Sequence, residues 1–490
     1  MSSRRKCNND IEDIEPSGQT SKFIFFGCWN NINCDSEYMY RDIVLDYITK
    51  NESDVKQIYI AGDNWYTNKK IINEKELKLY ITEILRTGYD KLYRMGKDIY
   101  IAVGNHDIDS NISVSKKLPS ANSPRSSSGL QIPQSSQSAS SPGSASSQQS
   151  PNAIERRKEL RKDCNINTQK YYLKQIKEET PFENPTLELL QKIKDTELSE
   201  AALCEQGIYI FVENIGVCYN KDSIIIIINT NKFDDFDEGM QYLSEIENVI
   251  MEVKQSQRSR ANKQIFVMGH IPLFTNKKNK LSIQDINKKD IRFRQIIYRL
   301  FDILTEYNII YLCADTHNFS IMKITHNGKV LIQITAGTGG ADPDLIDETP
   351  KTPITKKFKD TVNDENDKEF DITAYSVNSY GYASINIVAG NIYVCYTQVI
   401  KAPLPEELSL PTPSYTSVQK ITYKITKRLP YLTYKSNIKE ISYTNDGLKY
   451  KTNGANGICK KIKDNPGGYI TGKEGKLFCY KKKIKKINKV

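Results

Sequence analysis

From residue 22 onward, short apolar runs alternate with stretches whose apolar residues recur every three or four positions. KFIFFG (22–27), KQIYIAG (56–62) and KDIYIAVG (97–104) read as buried strands. Between them, 36–50 and 72–95 carry helical periodicity. The same rhythm resumes later, with strands predicted over 208–214, 216–220, 223–230, 263–270 and 309–315. Helices are predicted over 154–163, 183–204, 239–255 and 294–307. Four β-like pieces follow: FSIMKIT, KVLIQITAG, YGYASINIVAG and NIYVCYTQV. Strands alternating with helices predict an α/β fold, a sheet covered by helices, and no internal repeat interrupts it.

Composition adds boundaries to that picture. At 490 residues and 56.1 kDa the chain exceeds one small domain. Apolar residues at 38% beside 26% charged ones leave enough to bury a core. The longest apolar run, Ile224–Ile228, suits a strand and is far too short for a membrane helix. The N-terminus has no apolar leader, and ten scattered cysteines form no CxxC pair, so reduced thiols in an intracellular setting are expected. Heavy use of Lys, Asn, Ile and Tyr suggests an AT-rich coding genome. The net charge of +10 is uneven: residues 416–490 hold 19 Lys+Arg against 4 Asp+Glu. That basic segment predicts an anionic partner, a nucleic acid or a membrane surface. Residues 1–21 are polar and expected to be disordered, and the serine-rich stretch 118–151 reads as a flexible surface insertion. The domain is therefore expected over 22–402, with a basic C-terminal region over 403–490 beyond the proline-rich bridge at 401–414.

Candidate chemistry lies in four polar turns, each at the C-terminal end of a predicted strand. Asp63 lies in AGDNWY, Asn105 and His106 in VGNHD, His270 in VMGHIP, and Asp315 with His317 in CADTHN. Three of the chain's four histidines fall in these turns. Ligands of open α/β sheets bind off the carboxyl ends of strands, so the turns are expected to converge. Gly62, Gly104, Gly269 and Ala314 beside the polar groups permit close backbone approach. Carboxylate, amide oxygen and imidazole suit a divalent or trivalent metal, and one carboxylate can bridge two ions about 3.5–4 Å apart. Asp63 and Asn105 are also ordinary helix caps, but their company in these turns favours the ligand reading; Cys28, at the end of the first predicted strand, reads equally as a buried hydrophobe or a ligand. His326, before an Asn-Gly hairpin signal, is expected to be structural.

The content and order of FFGCWNN, AGDNWYTN, AVGNHDIDSN, VMGHIPLFT, YLCADTHNFS and ITAGTGG resemble the calcineurin-like metallophosphoesterases, and among them most closely the purple (tartrate-resistant) acid phosphatases. The resemblance spans 22–340. It implies a four-layer α/β/β/α sandwich and hydrolysis of phosphate esters by a metal-bound hydroxide. It implies two ions, iron with zinc or manganese or a homodinuclear pair. Carried over, Asp63 bridges both; Cys28, Tyr66 and His317 hold the first; Asn105, His270 and Asp315 hold the second. His106 becomes the acid, or the hydrogen-bond donor to the transition state. Two residues depart from the family pattern: Cys28 stands for an aspartate and Asp315 for a histidine. A thiol replacing a hard carboxylate predicts a weak first ion and a fuller second one. A second reading makes the chain a pseudophosphatase that works by binding, and a third makes the basic tail the functional part, anchoring an idle core.

Overall fold

The computed structural model describes residues 11–14, 21–31, 39–67, 74–108, 165–195, 207–257, 263–277, 280–283, 292–344, 346, 349, 352–360, 368–388, 390–401, 419–425 and 432–435. Two sheets carry the fold. The first is built from β2 (Lys22–Phe26), β3 (Gln57–Ala61), β4 (Asp98–Ala102) and β5 (Ile208–Phe211), all parallel. It is extended antiparallel through β16 (Ser379–Val388), β17 (Asn391–Lys401), β18 (Gln419–Ile425) and β19 (Leu432–Lys435). The second runs in the order β1 (Ile11–Ile14), β6 (Ile215–Tyr219), β7 (Ser223–Ile227), β8 (Gln264–Met268), β11 (Ile310–Cys313), β13 (Lys329–Ala336), β12 (Phe319–His326), β15 (Lys368–Val377) and β14 (Ile354–Asp360). A hairpin of β9 (Phe274–Lys277) and β10 (Lys280–Ile283) stands beside it.

Why these strands are apolar on both faces follows from what covers them. In β3, Ile58 and Ile60 face helices while Tyr59 and Ala61 face the other sheet. In β8, Ile265 and Val267 face helices while Phe266 and Met268 face the first sheet. Helices Tyr40–Asn51, Thr87–Arg94 and Asn165–Lys177 pack on the outer face of the first sheet, and Phe236–Gln257 and Arg292–Glu306 on that of the second. The result is the expected α/β fold in four layers, α/β/β/α, with three cores. Continuous runs such as Ile224–Ile228 are what a doubly covered strand requires.

The structure departs from the expected boundaries in three places. β18 and β19 continue the first sheet beyond residue 402, so the line drawn there falls between paired strands. Lys420 on β18 reaches Glu52, which also accepts from Lys22 Nζ at 2.6 Å and Tyr382 OH at 2.7 Å. Polar alternation in QKITYKI hides a strand that is half solvated. Within the N-terminal stretch expected to be disordered, β1 pairs in parallel with β6. The helix predicted over 72–95 is broken by a π-helical segment, Tyr80–Arg86. Carbonyls of that segment, Glu83 O and Ile84 O, accept from the buried guanidinium of Arg41. The serine-rich insertion 118–151 and the basic segment past 435 lie outside the described residues. Among those described, no helix is long and apolar enough to cross a membrane.

Candidate metal centre

Five parallel strands, β2, β3 and β4 from one sheet and β8 and β11 from the other, end at one edge of the sandwich. Their turns are stitched together by backbone hydrogen bonds: Cys28 N to Gly62 O at 3.0 Å, Trp29 N to Asp63 O at 3.4 Å, and Ala314 N to His270 O at 3.0 Å. The turns are also strained. Six non-glycine residues among those described have positive φ, and three of them are Cys28 (50°), Asp63 (54°) and Asp315 (53°). Left-handed backbone is tolerable for aspartate and uncommon for cysteine, and such strain gathers where side chains must be aimed. Gly104 allows the fit, because a Cβ there would lie 2.2 Å from Asp63 Oδ1.

Asp63, buried, sits at the middle with its two oxygens facing different partners. On one side Tyr66 donates its hydroxyl to Oδ2 at 2.8 Å, and Cys28 Sγ lies 3.8 Å from the same oxygen. His317 Nε2 is 3.2 Å from the Tyr66 hydroxyl. Ligand atoms of Cys28, Asp63 and His317 all fall within 4.8 Å of one another, a group that can hold a metal ion. On the other side, His270 Nε2 lies 3.3 Å from Asp63 Oδ1, 3.1 Å from Asn105 Oδ1 and 4.0 Å from Asp315 Oδ1. All seven residues expected as ligands therefore meet in one place. His106 is beside them, its ring 4.5 Å from that of Tyr66 and its backbone N–H donating to Asp63 Oδ1 at 3.1 Å. His326 lies elsewhere, bonded to Glu369 O and stacked on Phe370, as its turn position implied.

Both site imidazoles are held in one tautomer. His270 Nδ1 is 2.6 Å from Ala61 O and His317 Nδ1 is 2.7 Å from Asp342 O. A carbonyl can only accept, so each Nδ1 carries the hydrogen and each neutral ring turns its Nε2 lone pair inward. Metal-binding histidines are oriented in this way by an outer partner. Burial works against a charged imidazole at His270, yet the Asp63 carboxylate outweighs it and pushes the pKa up to about 9. Burial also opposes the Asp63 charge, but His270 and His106 hold that carboxyl far below the usual range. Cys28 is driven well above an ordinary thiol, by burial first and by Asp63 second. Thiol, carboxylate, phenol and imidazole form a donor set that fits iron or zinc, and oxygen with imidazole fits a broader range of divalent ions.

Outside the ligands lies a layer that the sequence reading did not single out. Asp107 is fully buried and accepts four N–H groups: Asn64 N (2.9 Å) and Gln169 Nε2 (2.8 Å) on Oδ1, and Asn64 Nδ2 and Gly104 N (both 2.7 Å) on Oδ2. It thus pins the Asp63 turn to the Asn105 turn. Burial and the neighbouring Asp63 raise its pKa to about 6. Asp107→Asn is expected to destabilise the protein by at least about 2 kcal/mol. Whichever way the amide turns, its NH₂ meets two donors, and chemical denaturation measures the loss. Arg41, buried under the first turn, donates to Asn30 and Thr87 and pairs with Asp42 at 3.1 Å. Gln333 accepts from Leu273 N and Phe274 N at 2.9 and 3.1 Å, fixing the stretch after His270. Lys277 ends that stretch, with Nζ 2.9 Å from Asp315 Oδ2. A cation seven residues after His270 was the available signal for it, and one lysine among so many went unmarked.

No protein-family model matches the chain, and no curated protein matches it. Among solved structures, one described as the structure of PhoD aligns over 91% of this chain and 79% of its own, at 10% identity and a TM-score of 0.42. A second aligns over 64% of this chain and 89% of its own, at 8% identity and a TM-score of 0.29. At these scores neither likeness speaks to chemistry, which rests on the side-chain geometry alone.

Proposed function

We propose that the chain is a metal-dependent phosphoesterase acting on phosphate mono- or diesters. One observation carries the reading: the Asp63 carboxylate faces a different donor set with each oxygen, and each set contains an imidazole whose Nε2 is turned inward. Cys28, Tyr66 and His317 with Asp63 would hold a first ion, iron or zinc. Asn105, His270 and Asp315 with Asp63 would hold a second, zinc, manganese or the same metal as the first. Bound there, the metals supply Lewis-acid polarisation of a phosphoryl oxygen and a nucleophile at neutral pH. The rest of the work belongs to the chain. Asp63 keeps the two donor sets in register, and Asp107 keeps Asp63 against Asn105. His106, half-buried beside the cluster, donates a proton to the leaving oxygen. Its backbone N–H on Asp63 ties the acid to the ligands, so that proton donor and ions share one frame.

Metal analysis of purified protein, paired with aryl-phosphate hydrolysis across metals and pH, tests the proposal. Bound metal with phosphate release supports it; metal-free, inactive protein after reconstitution with iron, zinc and manganese sinks it.

A second reading, a binding protein with a weakened centre, draws on Cys28. Its fully buried thiol must lose a tightly held proton before it can bind an ion. Cys28→Asp separates the two. In a weakened enzyme the substitution raises both metal stoichiometry and turnover. In a binding protein it adds metal without hydrolysis.

A further inference from the structure

Lys277 stands at the end of β9, a strand held in place by side-chain hydrogen bonds. Gln333 binds both ends of the Leu273–Phe274 step, its amide also donating to Phe274 O at 2.7 Å. One residue before Lys277, Asn276 donates to Ser376 Oγ at 3.0 Å and accepts at its carbonyl from Asn318 at 3.0 Å. From this anchor the lysine side chain turns back to the cluster, and its ammonium meets Asp315 Oδ2 at 2.9 Å. The other oxygen of Asp315 faces His270. One carboxylate thus looks inward to the ligand set and outward to a cation.

Exposure shows which way is out. The side chains of His270 and Asp63 are 0% and 2% exposed, whereas those of Asp315 and Lys277 are 20% and 16%. Lys277 therefore lies at a more exposed margin of the cluster than His270 and Asp63 do. The centre itself gathers carboxylates, Asp63 and Asp315, and an approaching phosphate ester brings further negative charge. An ammonium is a compact point charge with rotatable donors and pairs well with phosphoryl oxygens. A partly exposed ion pair adds little to folding on its own, which leaves recognition as the stronger reason for a cation here.

We propose that Lys277 binds the phosphoryl oxygens of the substrate at the mouth of the centre, with Asp315 holding its ammonium in place. The assignment rests on the phosphoesterase reading and names a phosphate-binding residue within it. The test uses the full-length, zinc-loaded protein and inorganic phosphate as the probe, measured by titration calorimetry with zinc content read on the same samples. Lys277→Met and Lys277→Gln are expected to weaken phosphate binding by about 10–100-fold, and Lys277→Arg by much less. Zinc content should stay at the wild-type value, and KM for an aryl phosphate should rise more than kcat falls. Unchanged phosphate affinity in a zinc-replete Lys277→Met protein overturns the assignment and leaves the phosphoesterase reading standing. Zinc content that changes in step with phosphate affinity also overturns it, since Lys277 would then act on Asp315 alone. Wild-type protein that binds neither zinc nor phosphate overturns the underlying reading and this assignment with it.

Discussion

Asp63→Asn is expected to empty both ion positions at once. Each oxygen of Asp63 serves a separate donor set, with Tyr66 and Cys28 near Oδ2 and His270 near Oδ1. An amide in its place offers one oxygen, carries no charge and turns an NH₂ toward one of the two sets. Loss of an outer partner of a metal ligand costs about 10–100-fold in affinity, so loss of the shared ligand should cost at least about 100-fold at each position, and turnover should fall with it. Metal stoichiometry by atomic emission is the measurement; a single position that survives intact would show that Asp63 is not shared. The same substitution has a signature in metal-stripped protein. Burial lowers the His270 pKa, but Asp63, helped by Asp315 and the Ala61 carbonyl, raises it from 6.5 to about 9. A basic group raised by folding contributes stability that is complete below its unfolded pKa and is lost as the pH climbs through the folded one. Wild-type stability should therefore decline between those two values, and Asp63→Asn should shrink that decline.

His106→Ala should lower turnover by a factor on the order of 10²–10⁴ while metal content stays near wild type. His106 touches the centre through two unlike contacts. Its backbone N–H supports Asp63, and alanine keeps that contact; its ring lies against Tyr66, and alanine removes it. Ring Nδ1 is buried with no hydrogen-bond partner among the described residues. An unpaired polar atom in a packed interior is a cost that folding alone gives no reason to keep, and working sites are where such costs persist. Metal lost together with activity would show that His106 acts as a ligand or as a prop for one.

Much of this was legible in the sequence, for identifiable reasons. Doubly covered strands announce themselves as unbroken apolar runs, so β2, β3, β4, β7, β8 and β11 could be placed, and with them the turns at their ends. Asp63, Asn105, His106, His270, Asp315 and His317 could be grouped because a single geometric rule puts strand ends on one edge, whereas Cys28 entered only by resemblance. Tyr66 was legible only by resemblance, since one tyrosine in thirty carries no pattern. The rest depended on tertiary contacts that no local period encodes. Asp107 looks like an ordinary acidic residue in a helical turn until Asn64 and Gln169 arrive from distant segments. Arg41 reads as the polar face of an amphipathic helix, yet it is buried, with Glu83 O, Ile84 O, Asn30 and Thr87 from other segments accepting its hydrogens. β14, β15 and β18 carry charged residues and threonines on one face, and their pairing is decided by neighbours in the sheet.

The centre draws Cys28, Asp63, Tyr66 and Asn105 from one sheet and His270, Asp315 and His317 from the other. Elsewhere the seam is mostly apolar packing, crossed by hydrogen bonds such as Gly27 N to Ala336 O at 2.8 Å and Asn231 Nδ2 to Val103 O at 3.2 Å. An ion gripped from both sides would act as a rivet through that seam. Ligand binding to the folded state alone stabilises it by mass action, and here the gain would appear as resistance to shear between two otherwise greasy layers. Charge at the edge of the sandwich would thus govern stiffness through its middle.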